Sequence, residues 1–144
     1  MEYSTKSGRK ISFYGAGARE DLDKFFGILL KSWVKRENDD YDFSEDPAHN
    51  QCTVTAMVVQ DFFGGEILAL SMPGGGTHYL NLIDGKVFDF TSDQFTSHGV
   101  QLDYSGVKSV PRSEVGTDGS APERYQDLKA NVEVNMKVSS DFAR

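Results

Sequence analysis

The stretch that decides the fold runs from residue 50 to residue 91, NQCTVTAMVVQDFFGGEILALSMPGGGTHYLNLIDGKVFDFT. It opens with polar residues and passes at Cys52 into an apolar run with the character of a helix. Gly64-Gly65 closes this run, and glycine commonly follows the last residue of a helix. The first part of the stretch therefore predicts a helix over about residues 52–63.

After the two glycines the apolar pattern changes to the alternation of β-strands. The segments EILALSM, THYLNLI and KVFDFT each predict a strand. A PGGG turn joins the first two strands. Asp84-Gly85, a two-residue hairpin signal, joins the last two. Residues 66–91 therefore predict an antiparallel meander that packs against the cysteine-bearing helix.

The flanking segments predict further helices. In residues 19–38 apolar side chains recur at steps of three and four, which is typical of an amphipathic helix. Those side chains are Leu22, Phe25, Phe26, Leu29, Leu30, Trp33 and Val34. A short helix capped by Thr91 follows the meander, and residues 97–120 are predicted as loop. A closing helix from Pro122 directs Tyr125, Leu128, Val132 and Met136 inward.

This order of elements favours an α+β fold. Residues 1–18 contain three glycines and predict a poorly ordered or lightly docked arm, and residues 19–144 form a single domain. The formal charge of −7 argues against binding to nucleic acid and to anionic membranes. No secretory signal is expected, and a single cysteine permits no internal disulfide, so we expect a cytoplasmic, bacterial-type protein.

The single cysteine has two interpretations. A lone cysteine is often an inert buried hydrophobic residue. A thiol at the start of a helix, however, has a lowered pKa and becomes a nucleophile when a histidine lies beside it. Cys52 meets the first condition, and His78 on the second predicted strand is the best-placed histidine. Asp89 on the third strand is a candidate to orient that imidazole.

The hairpin register brings the last two residues together. A turn at Asp84-Gly85 pairs residues whose numbers sum to about 169. His78 then faces a position near 91, and Asp89 faces a position near 80, so the two side chains are diagonal neighbours on one face. Cys52, His78 and Asp89 are therefore candidate catalytic residues.

The candidate site includes groups beside these three. Gln51 is a candidate to stabilise an oxyanion, as are Asn50 and the Cys52 backbone N–H. Gly75 lies in the flexible turn before His78 and is a candidate substrate contact or lid residue. We expect no metal and no cofactor, because the histidines and the cysteine lack the spacing of metal ligands.

Much of the chain resembles the YunG-like family of small bacterial proteins. The resemblance covers roughly residues 22–137. It is carried by Lys31-Ser32-Trp33, Gln51-Cys52, Val54-Thr55-Ala56, Val59-Gln60-Asp61, Gly64-Gly65-Glu66-Ile67, His78-Tyr79, Asn81, Asp84-Gly85, Asp89, Thr91, Gln94-Phe95, Arg124-Tyr125 and Leu128. It implies a papain-like or transglutaminase-like core with Cys52, His78 and Asp89 in the triad positions. Tyr79 and Asn81 become candidate substrate contacts.

The sequence leaves several functions open. The first hypothesis is a thiol enzyme that acts on an amide bond of a peptide, a protein or a small amide. Hydrolysis, deamidation and acyl transfer share this machinery. The second is a non-catalytic binding module on the same fold, and the third is an interaction protein that uses an acidic face.

Overall fold

The computed structural model describes residues 2–17 and 19–139, and within them the chain forms four α-helices and seven strands. The helices are α1 (Glu20–Ser32), α2 (Cys52–Phe63), α3 (Asp93–Thr96) and α4 (Ala121–Val138). The strands are β1 (Tyr3–Ser4), β2 (Lys10–Ile11), β3 (Tyr14–Gly15), β4 (Glu66–Ser71), β5 (Thr77–Ile83), β6 (Lys86–Asp89) and β7 (Lys108–Val110). The α+β class is confirmed.

The predicted meander forms the centre of a five-stranded antiparallel sheet with the order β3-β6-β5-β4-β7. In the β5–β6 hairpin Asn81 pairs with Phe88 and Leu82 with Val87. Both pairs have residue numbers that sum to 169, so the predicted register is confirmed. This hairpin and the turn before β5 fix the pairing of β4, β5 and β6, whereas the edge strands β3 and β7 join from distant segments.

Helices α1, α2 and α4 bury their apolar sides in one core with residues of β5 and β6. Phe25 and Leu29 of α1, Val58 of α2 and Val132 of α4 are all fully buried there. Phe88 reaches the same core from β6. The predicted helix positions 52–63 and the inward Leu128 and Val132 are confirmed. None of the described helices is long and apolar enough to cross a membrane.

Helix α1 ends earlier than the apolar stripe predicted. It stops at Ser32, and Trp33 adopts an extended conformation in which its indole Nε1 donates to Thr55 Oγ1 of α2 at 2.8 Å. Val34 is 60% exposed, so its predicted inward position was wrong. The apolar periodicity continues past Ser32, but the extended Trp33 and its hydrogen bond to α2 end the helix there.

Two predictions for the segment after the meander also need correction. The predicted loop 97–120 contains β7, which pairs with β4 from Ile67↔Val110 to Ala69↔Lys108. Its polar sequence did not predict a strand, because an edge strand such as β7 can have one face in solvent and so need not be apolar. Helix α3 follows Ser92 rather than Thr91, since the Thr91 amide donates to Asp89 instead.

The N-terminal segment is attached to the domain by backbone pairing and by ionic contacts. Tyr14 and Gly15 pair with Asp89 and Phe88, which makes β3 an edge of the sheet. Arg9 forms a two-point salt bridge with Asp93 at 2.9 and 3.0 Å. Over residues 2–17 the arm is therefore more firmly docked than its polar, glycine-rich composition indicated.

Gly65 is required where α2 turns into β4. Its φ is +77°, and a Cβ there would lie 2.0 Å from the Leu82 carbonyl oxygen. Gly85 has a nearly equal φ of +78°, but no described atom lies within 4 Å of a Cβ at that position. A side chain at position 85 would therefore introduce left-handed strain alone, whereas one at position 65 would add steric overlap to the same strain.

We predict that Gly65→Ala lowers the free energy of unfolding more than Gly85→Ala does. Left-handed strain costs about 1–2 kcal/mol in both variants. Overpacking against a backbone carbonyl adds roughly 1–3 kcal/mol at position 65 alone. Urea unfolding of both variants beside the wild type measures the difference. Equal destabilisation would contradict the close approach of Gly65 to Leu82.

Candidate active site

Cys52 is the first residue of α2, with Gln51 at the N-cap. The preceding Asn50 has φ +52°, a conformation that asparagine tolerates better than most residues. Its side chain donates to Asp39 Oδ2 at 3.1 Å, and its backbone carbonyl accepts from Arg36 Nη1 at 2.7 Å. These contacts fix the chain before the cysteine, so that the thiol lies at the positive end of the helix dipole.

His78 and Asp89 form a fully buried pair on neighbouring strands. His78 Nε2 donates to Asp89 Oδ2 at 2.7 Å, and neither side chain is exposed to solvent. Phe95 of α3 packs edge-on against the imidazole, with ring centroids 4.9 Å apart. The two residues are therefore in direct contact, as their strand positions predicted. Asp89 and Phe95 together fix the orientation of the imidazole ring.

The Asp89 carboxylate uses both of its oxygens. Oδ2 accepts from His78 and also from the Tyr104 hydroxyl at 2.7 Å. Oδ1 accepts from the Thr91 backbone N–H at 3.2 Å and from its hydroxyl at 3.5 Å. One carboxylate therefore both contacts the histidine and holds the start of the next turn.

The Cys52 thiol and the His78 imidazole shift each other's pKa. Burial lowers the pKa of His78, but the hydrogen bond and charge of Asp89 and the neighbouring thiol outweigh burial and raise it to about 9. Burial raises the pKa of Cys52, yet the interactions with His78 outweigh that effect and the net direction is downward. Each group thus favours the charged form of the other, the thiolate beside the imidazolium.

The remaining ring nitrogen of His78 is the one available to the thiol. Nδ1 is buried and makes no hydrogen bond of regular geometry to any described residue. The backbone amide of Tyr79 also lowers the pKa of Cys52. The pairs between β5 and β6 run from Asn81↔Phe88 to Ile83↔Lys86, so Tyr79 lies on β5 outside this paired region. Its backbone N–H can therefore face the Cys52 sulfur instead of β6.

Other predicted site residues have different surroundings. Gln51 is buried, and its amide donates to the Val34 carbonyl at 2.7 Å. Asn81 is buried beneath α2 and donates to the Ala56 carbonyl at 3.0 Å, so it ties β5 to the helix. The Tyr79 side chain packs in a small apolar cluster, and Gly75 is exposed in the β4–β5 turn. Their roles with substrate remain predictions.

The sequence did not single out Tyr104, which is the third partner of the buried carboxylate. It lies in a 3₁₀ turn, Tyr104–Gly106, within the segment predicted as loop. Tyr14 of β3 stacks on it, with ring centroids 4.3 Å apart. A lone aromatic residue in a polar segment was the available signal, but its partner is fixed only by tertiary structure.

The arrangement brings a thiol, an imidazole and a carboxylate into one chain of neighbouring groups. The first N–H groups of a helix have no intrahelical acceptor, so the Cys52 backbone N–H is a donor for negative charge that develops near the sulfur. Within residues 2–17 and 19–139 no group of three or more His, Cys, Asp or Glu side chains could hold a metal ion.

We predict that Asp89→Asn lowers the pKa of His78 from about 9. Removal of an adjacent carboxylate charge typically shifts a pKa by about 1–3 units. NMR titration of the imidazole measures the change. Asp84→Asn is the matched control, because this exposed carboxylate is at the turn of the same hairpin and pairs with Arg19. An unchanged His78 titration in Asp89→Asn would contradict the coupling.

Comparison with known proteins identifies the family. The family model described as "YunG protein" matches residues 21–137. The chain is 35% identical over 114 residues to the "Uncharacterized protein YunG" of Bacillus subtilis (strain 168). This alignment covers 79% of the chain and 93% of the relative. No solved structure matches the chain. The matched region contains Cys52, His78 and Asp89, and the chain belongs to the YunG family.

Proposed function

We propose that the protein is a cysteine-dependent enzyme that attacks amide bonds, with Cys52 as nucleophile, His78 as proton carrier and Asp89 as the residue that orients His78. One observation carries this proposal. A buried imidazole is held by a buried carboxylate through Nε2, while its other nitrogen has no regular partner and lies next to a thiol of lowered pKa. A histidine with a purely structural role would be expected to satisfy both nitrogens.

The chemistry follows from the charge state of the pair. The thiolate attacks the carbonyl carbon and forms a carbon–sulfur bond, and the carbonyl electrons move to oxygen. As the carbon–nitrogen bond breaks, the imidazolium gives its proton to the leaving nitrogen, and a thioester remains. His78, now neutral, takes a proton from the water or amine that attacks the thioester carbonyl carbon. The new carbon–oxygen or carbon–nitrogen bond replaces the carbon–sulfur bond, and Cys52 leaves as the thiolate beside the imidazolium. Hydrolysis, deamidation and acyl transfer differ only in the leaving group and this acceptor.

The order of helix cysteine, strand histidine and strand aspartate supports a likeness to papain-like and transglutaminase-like thiol enzymes. We assign the proposed enzyme to that mechanistic class because of its three site residues, and not because of a similarity of the whole fold. A thiolate of this kind stays reduced in the cytoplasm, where we propose that the protein works.

We predict that iodoacetamide alkylates Cys52 with an apparent pKa below the ordinary thiol value, and that His78→Gln raises that pKa. The variant retains the burial that disfavours the thiolate but loses the imidazolium. His98→Gln is the matched control, since His98 is 60% exposed and pairs with Asp46. An ordinary or raised pKa in the wild type would favour the binding-module hypothesis.

We also predict that the wild type turns over p-nitrophenyl acetate beyond one equivalent. His78→Gln should lower the rate by roughly 10²- to 10⁴-fold, the usual contribution of a positioned acid–base group. Cys52→Ala should abolish turnover and unfold within a few degrees of the wild type, which its circular dichroism melting curve would show. Turnover that survives Cys52→Ala would exclude Cys52 as the nucleophile.

A further inference from the structure

A cavity of about 250 Å³ lies beside the start of α2. It is enclosed by the chain after α1, by Gln51 and Val54 of α2, and by Ser120 and Arg124 at the start of α4. Pockets for drug-sized ligands typically span roughly 300–1,000 Å³, so this cavity suits a smaller group. Gln51 is the immediate neighbour of the candidate nucleophile, which puts the cavity next to the proposed reaction centre.

The partly buried side chain of Arg124 lines this cavity, and two of its nitrogens lack a protein partner. Its Nε and Nη1 atoms are buried and have no hydrogen-bond partner among the described residues. Burial lowers the pKa of Arg124, and the charge of Arg36, which lines the same cavity, lowers it further. Two guanidinium groups that line one cavity, one of them with unused donors, are a typical environment for an anion.

The surrounding charges limit which anion fits. Arg36 donates to the Asn50 carbonyl, and Asp39 offsets part of the positive charge near both arginines. Three exposed carboxylates, Glu37, Glu123 and Asp127, also line the cavity, as does a third cation, Lys35, whose ammonium donates to the Asp39 carbonyl. Like charges destabilise a multiply charged ligand such as phosphate more than a singly charged one. The balance therefore favours a carboxylate, whose two oxygens match the fork of an arginine.

The Cys52 thiol lies within electrostatic range of this guanidinium, since its charge raises the pKa of Arg124. Gln51 and Val54, which line the cavity, lie on either side of Cys52 in the chain, so a ligand held by Arg124 lies beside the start of α2. We infer that the cavity is a carboxylate-binding subsite in which Arg124 anchors an amide substrate that carries a carboxylate group close to the bond attacked by Cys52. This inference rests on the proposed function, but the binding itself can be measured without catalysis.

The test is an NMR titration of the full-length wild-type protein with N-acetylglycine, N-acetylglycinamide and inorganic phosphate. We expect saturable shifts of the Arg124 Nε–Hε and Gln51 side-chain signals with N-acetylglycine and weaker or no binding of the other two. Arg124→Gln should weaken binding by about tenfold or more, as loss of a charge-assisted pair does. Lys137→Gln, a charge removal at the far end of α4, should leave it unchanged.

Equal binding of the acid and its amide, stronger binding of phosphate, or no saturable shift would overturn the inference. The comparison of acid with amide uses the unaltered protein, so it holds even when Arg124→Gln does not fold. Failure of the two proposals can be told apart. A reactive Cys52 without carboxylate binding overturns the subsite alone, whereas carboxylate binding beside an unreactive Cys52 overturns the proposed enzyme.

Discussion

A buried negative charge is the constraint on which the rest of this structure depends. Asp89 is fully buried, and an unpaired carboxylate in such a place would cost several kcal/mol. It is stabilised because His78, Tyr104 and Thr91 all donate to it. These donors come from β5, from the 3₁₀ turn before β7 and from the turn before α3. One carboxylate therefore fixes three segments relative to one another, and with them the imidazole that faces the thiol.

The same constraint explains why the N-terminal arm is docked beside the site. Tyr14 pairs with Asp89 through the backbone and stacks on Tyr104, so it covers the group that donates to the carboxylate. Arg9 reaches Asp93, four residues beyond Asp89, with two hydrogen bonds. Burial and the charge of Asp89 both raise the pKa of Tyr104, which keeps its hydroxyl protonated as a donor. The arm thereby helps to exclude water from the Asp89–His78 pair.

Local patterns were sufficient for the centre of the fold and for the positions of Cys52, His78 and Asp89 within it. The glycine pair after Phe63, the Asp84-Gly85 turn and strict alternation in β5 determine the register, and the register brings Asp89 to His78. The sequence could not supply contacts made across long separations. Tyr104, β7 and the extended Trp33 are determined by hydrogen bonds to distant segments, while the cavity around Arg124 forms where two helix starts and the chain after α1 converge.

The charges around Cys52 are coupled, and this coupling gives the proposed subsite a consequence for reactivity. The thiolate raises the pKa of Arg124, so by reciprocity Arg124 stabilises the thiolate. A carboxylate bound to Arg124 would cancel part of that stabilisation, while His78 and the start of α2 would retain theirs. The sulfur would then be a stronger nucleophile at the moment when a substrate occupies the cavity. A thiolate that keeps the stabilisation from both His78 and Arg124 would be less reactive toward molecules that lack the carboxylate, so in the proposed enzyme substrate recognition would be linked to nucleophile strength.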